Sequence, residues 1–181
     1  EIQRDIASAE QDRAVAAEAE RDAVSLRAGS EARIEAKKRE IDTNKDRKNI
    51  AKREKRDAEV ASLDAERKAL EREKDLLERR KSLRETEIDL SKKRLDLATL
   101  ARQALELEGQ LVMKRAERAR FAEGTADAVR LNQVVLDVEA AVLQAQKKRA
   151  ERETEVVDKE KQVIERRLEI LKARRSFATG G

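Results

Sequence analysis

Between Val129 and Ala178, apolar side chains return every seven residues in two adjacent rows, and the spacing never breaks. The first row is Val135, Val142, Arg149, Val156, Val163, Ile170 and Phe177. The second, one residue on, is Leu136, Leu143, Ala150, Val157, Ile164, Leu171 and Ala178. Arg149 is the one polar member. A strand is excluded, because its side chains would alternate with period two. A strict seven-residue repeat drifts slowly around a straight α-helix, so keeping it against a partner helix requires left-handed supercoiling. The pattern predicts an all-α protein, an elongated coiled coil of long helices.

Composition supports that reading. Charged residues make up 45% of the chain, Pro is absent, and Phe121 and Phe177 are the aromatic residues. A compact globule of 181 residues needs a bulky apolar core, which aromatics usually help to supply. So much charge can also mean disorder. Here, however, opposite charges are interspersed and apolar residues recur at helical spacing, as in long helices and coiled coils. The net charge of +4 is small for a chain with 43 basic and 39 acidic residues. No apolar run approaches the ~20 residues that span a bilayer. The first residue is Glu1 and not Met, which points to an excerpt or a processed product. The compartment is left open, since no Cys is present to indicate one.

Taken in order, residues 1–28 read as an Ala-rich helix, with Ile2, Ile6, Ala9, Ala16, Ala23 and Val24 at three-four spacing. Their blend of Ala, Glu and Arg resembles, in composition, the helical stalks of flotillin-type proteins, which implies an extended helix. Gly29-Ser30 can either end this helix and cap the next one or lie inside a continuous helix. Residues 30–58 read as a highly charged connector. Within it, 35–57 holds ten basic and six acidic residues, with Ile41 and Ile50 its large apolar ones. The functional reading of this stretch is a basic contact for nucleic acid or acidic lipid. A solvated helix is favoured, because acids are mixed in and no aromatic is present to stack on bases.

Residues 59–123 form the next expected arm, with Leu83, Leu90 and Leu97 on its seven-residue row and Gly109 inside the helix. Near Gly124 stop and start signals coincide. Arg118 and Arg120 suit a helix C-terminus, Gly124 a left-handed position, Thr125 a cap and Asp127 a first turn. The expectation is an antiparallel hairpin, with 126–178 packing back on 59–123 and 179–181 a frayed tail. In that register Val135 faces Met113, Val156 faces Leu90, Val163 faces Leu83, Phe177 faces Leu70, and Arg149 lies near Asp96.

Chemistry is sparse. Without His or Cys the chain lacks the usual general base, the thiol nucleophile and most transition-metal ligands. The five Gly are scattered, so no phosphate-binding loop forms. No catalytic, cofactor-binding or metal-ligating residue is assigned, and no enzyme is expected. The residues singled out are the seam members of both rows, together with Leu83, Leu90, Leu97 and the turn at Gly124 and Thr125. The expected function is structural: a homo-oligomeric filament, stalk or scaffold held by heptad seams. The partner is a second copy of the chain or, failing that, another coiled-coil protein. The alternatives are a helical-hairpin adaptor or tentacle-like chaperone of the bacterial envelope and, behind it, a nucleic-acid or membrane-surface binder using 35–57.

Overall fold

The computed structural model describes residues 1–179, and those residues contain no strand. Three helices follow one another: α1, Ile2–Arg53; α2, Asp57–Arg118; and α3, Ala126–Thr179. Thr179 closes α3, and the rest of the expected frayed tail, 180–181, lies outside the described residues. No helix among the described residues is long and apolar enough to cross a membrane.

Two compact units share these helices, each taking one segment of all three. The first comprises 1–20 and 89–160, and the second comprises 21–88 and, of α3, 161–179. In the first unit Ile2 approaches Gly109 and Glu10 pairs with Arg102, so rising numbers on α1 meet falling numbers on α2. The same holds between α2 and α3, where Arg115 meets Glu139, Glu108 meets Gln146 and Asp96 meets Arg152. The second unit follows the same rule, with Glu31 against Lys81, Lys37 against Glu73, Asn44 against Glu66, and Glu87 against Arg167.

The buried residues are small on α1 and larger on the other helices. Ala9, Ala16, Ala23, Asn44 and Ala51 are buried along α1 at multiples of seven, with the half-buried Ser30 and Lys37 completing the row. Ile34 and Ile41 add bulk within the second unit. α2 contributes Leu63, Leu83, Ile88, Leu90, Ala98 and Ala104, and α3 contributes Ala128, Leu131, Val142, Val156, Val163 and Ile170. Small residues let helix axes approach closely but each removes little apolar area from water, so the area gained per turn on α1 is modest.

α1 passes through Gly29 and Ser30 without a break, so the division expected between 1–28 and 30–58 is not a helix end. Ser30 bonds back to the Leu26 carbonyl at 2.9 Å instead of capping a new helix. The end of α1 comes at Glu54–Arg56, where no Gly, Pro or Asn marks it. Lys55 takes a left-handed backbone, φ 56°. The Arg56 amide bonds to the Ala51 carbonyl and the Lys55 amide to that of Lys52, the paired bonds of a Schellman ending. Arg56 then ties the turn together, its guanidinium meeting Glu54 and Glu59 at 2.5 Å each. Between α2 and α3, Gly124 has φ +84°, and Thr125 Oγ1 accepts from the Ala128 amide at 3.2 Å. Arg118 and Asp127 lie in the last turn of α2 and the first turn of α3, with the signs that helix dipoles favour.

These conformations separate three substitutions. A Cβ at Gly29 meets nothing within 4 Å. Gly29→Ala should therefore stabilise the chain by about 0.5–1 kcal/mol, the ordinary helix-interior difference. Lys55→Gly should also stabilise, by about 1 kcal/mol, by relieving a left-handed β-carbon. Gly124→Ala should destabilise by a similar amount. Urea unfolding of the three variants checks this; a destabilising Gly29→Ala would mean that α1 ends near residue 29 after all.

Candidate functional site

Successive helical residues project about 100° apart, so two rows offset by one residue cannot face the same neighbour equally. α3 resolves this by turning the first row inward and the second outward. Val142 is 5% exposed, while Leu143 is 62% exposed. Val156, Val163 and Ile170 are buried like Val142, and Val135 is half-buried. Leu136, Val157, Ile164 and Leu171 are exposed like Leu143. On α2, Leu83 and Leu90 are buried and Leu97 is half-buried. The seam residues named from sequence therefore fall into two sets, one within the units and one on their surface.

The inward companion of the first row lies three residues on and not one. Arg166, at the same spacing, is exposed, whereas Leu131 is buried and Val138, Ala145, Arg152, Lys159 and Ala173 are half-buried. Two of the half-buried residues are cations, which hid the row in the sequence. Their aliphatic stems cover the seam while their charged ends reach out, Arg152 to Asp96 at 3.7 Å and Lys159 to Asp89 at 3.5 Å. On α1 the sequence shows Ala9, Ala16 and Ala23, but the continuation of their row to Ala51 is hidden by Ser30, Lys37 and Asn44. Seven-residue spacing from any buried Ala would have exposed it.

Asn44 is the most enclosed polar side chain, 2% exposed. Its Nδ2 donates to Glu66 Oε2 at 2.9 Å, while its Oδ1 is buried without a partner. A single buried Asn in a helical seam fixes register at a cost in stability. The basic segment 35–57 is similarly committed to the second unit, since Ile41, Asn44 and Ala51 are buried there and Ile50 is half exposed. Six of its ten cations, Lys37, Lys38, Lys45, Arg47, Lys48 and Arg56, stand in ion pairs. A hydrogen bond from Lys48 holds the Asp64 carboxyl below its usual range, and one from Lys81 does the same for Glu31. In the first unit Glu155 is lowered chiefly by its hydrogen bond from Lys93. All three carboxylates are solvent-exposed, so these pairs steer which helix faces lie together more than they add stability.

Arg149 does not reach Asp96, which Arg152 occupies. It lines a groove of about 410 Å³ in the first unit, together with Ala16, Ala19, Leu97, Ala98 and Val156. Alanines on two of the three facing segments leave the space unfilled. Asp12, Arg94, Glu153 and Glu160 edge the groove. In the second unit Phe177 sits beneath the Arg72 guanidinium, 5.9 Å from ring centroid to Cζ. Among the described residues no cluster of three or more His, Cys, Asp or Glu is placed to hold a metal.

Set beside family models, curated proteins and solved structures, the chain matches none of them.

The inward row should be far more sensitive than the surface beside it. Val163→Asp would bury a carboxylate with no designed partner and cost several kcal/mol, whereas Glu165→Ala should stay within about 0.5 kcal/mol. Equal shifts of the thermal midpoint in the two variants would mean that this seam is misassigned.

Proposed function

We propose that the chain is a structural coiled-coil protein, its α2 and α3 forming an antiparallel hairpin that turns at Gly124, and that it assembles into a homo-oligomeric filament, stalk or scaffold. The observation that carries the proposal is the outward row of α3. Folding leaves Leu136, Leu143, Val157, Ile164 and Leu171 between 44% and 62% exposed, although their seven-residue spacing is the kind a partner helix selects. Scattered surface leucines need no explanation, but an apolar row in strict period does. Support for the hairpin comes from the left-handed Gly124, the Thr125 cap and the cross-helix pairs that follow them.

In this reading the mechanism is burial of apolar rows, with surface charge selecting partner and register. It involves no catalytic step. A binding module, such as a hairpin adaptor or tentacle-like chaperone, is the second reading, and the Ala-lined groove at Arg149 is what favours it. The reading through 35–57 has less behind it, because most of that segment's cations already serve neighbouring carboxylates.

Sedimentation velocity across a hundredfold concentration range tests the assembly. The expected outcome is a species larger than 20.6 kDa that grows with concentration and shrinks as salt is added. A monomer at every concentration would overturn the proposal.

A further inference from the structure

In the first unit the outward row consists of Val129, Leu136, Leu143, Ala150 and Val157. Its four branched members are 61%, 58%, 62% and 44% exposed. We infer that this row is the face on which a second copy of the chain packs, parallel and in register. The inference rests on the self-assembly reading above and specifies its geometry.

The spacing identifies the occupant as a helix. A lipid surface or a globular client would be met by an apolar face of period 3.6, whereas an invariant interval of seven keeps contact only with a helix that supercoils around it. The polar borders of the row identify which helix. On the side toward the bundle, three residues after each row member, stand Asn132, Glu139, Gln146, Glu153 and Glu160. On the far side, four residues after Val129, Leu136, Leu143 and Ala150, stand Gln133, Ala140, Lys147 and Thr154, while the position four after Val157, Lys161, belongs to the second unit. One border therefore carries three acids and no base, and the other carries a base and no acid. When two identical helices run parallel, their symmetry axis lies along them, so each acidic border faces the other helix's basic border. When they run antiparallel, acidic border faces acidic border. Parallel pairing is thus favoured by charge as well as by like-on-like apolar contacts, Leu136 on Leu136 and Leu143 on Leu143.

The groups that would pair between copies are available. Glu153 makes no ion pair with the described residues, and Lys147 reaches Glu151 at 3.9 Å, with 76% of the Lys147 side chain and 62% of the Glu151 side chain exposed. Glu139 and Glu160 already meet Arg115 and Arg94 of the same chain, which fixes the acidic border in place.

Single cysteines test this in the full chain, which has none of its own. Leu136→Cys, Leu143→Cys, Val157→Cys and, as a control on another solvent-facing row, Gln144→Cys are oxidised with diamide. A disulfide needs Cα atoms within about 7 Å, so the first three should give covalent dimers while Gln144→Cys stays largely monomeric. A companion variant, Leu136→Lys with Leu143→Lys, should lose association while keeping its helical circular dichroism. Cross-linking at Leu143→Cys alone would indicate antiparallel packing and overturn the inference. So would cross-linking of Gln144→Cys as efficient as that of Leu136→Cys. An oligomer that persists in the double-lysine variant, with no cross-links, would place the interface elsewhere and leave self-assembly standing. A monomeric native chain would remove both.

Discussion

The structure depends on the burial of a narrow seven-residue row on each helix, in a chain whose residues are 45% charged. Long helices rich in Glu, Lys and Arg form readily, but their own hydrogen bonds and exposed ion pairs contribute little net stability. What holds them is the seam. On α1 the seam is mostly Ala and closes the distance between helices without filling the space, which is why the groove at Arg149 opens where Ala16 and Ala98 line the same space. On α2 and α3 it is Leu, Val and Ile, and most of the apolar area is removed from water there.

Charge decides how the seams align. Many of the cross-helix ion pairs sit at seam edges, and their partners change in step along each helix, as Lys37–Glu73 gives way to Lys48–Asp64. A one-turn slip would break such pairs together and would also strip the Asn44 amide of Glu66. Individually weak contacts thus act as a register code, and the cost of the unpaired Asn44 oxygen is consistent with a residue retained for specificity more than for stability.

All-helical architecture and the break at Gly124 were legible in the sequence, because heptad spacing and the Gly-Thr pair each have one dominant local explanation. The end of α1 was not. Lys55 adopts a conformation that glycine normally supplies, and tertiary pairing of α1 with α2 overrides that local preference. The division of labour between the two α3 rows was also hidden. Both are apolar and both repeat every seven residues, so periodicity alone cannot show which faces its own bundle. The decisive companions of the inward row, Arg152 and Lys159, read as solvated cations until their stems are seen against the seam. Arg149, expected near Asp96, lines a groove instead.

The central claim is that adjacent rows of α3 have opposite roles, one closing the bundle and one open to another copy. Thiol-labelling rates of Val142→Cys and Leu143→Cys, measured against concentration, test it most directly. At nanomolar concentration residue 143 should react at close to the rate of a free thiol and residue 142 many-fold more slowly. At concentrations where the chain associates, labelling at 143 should slow while labelling at 142 stays unchanged. Similar rates at the two positions, or protection of 143 in the dilute chain, would contradict the account.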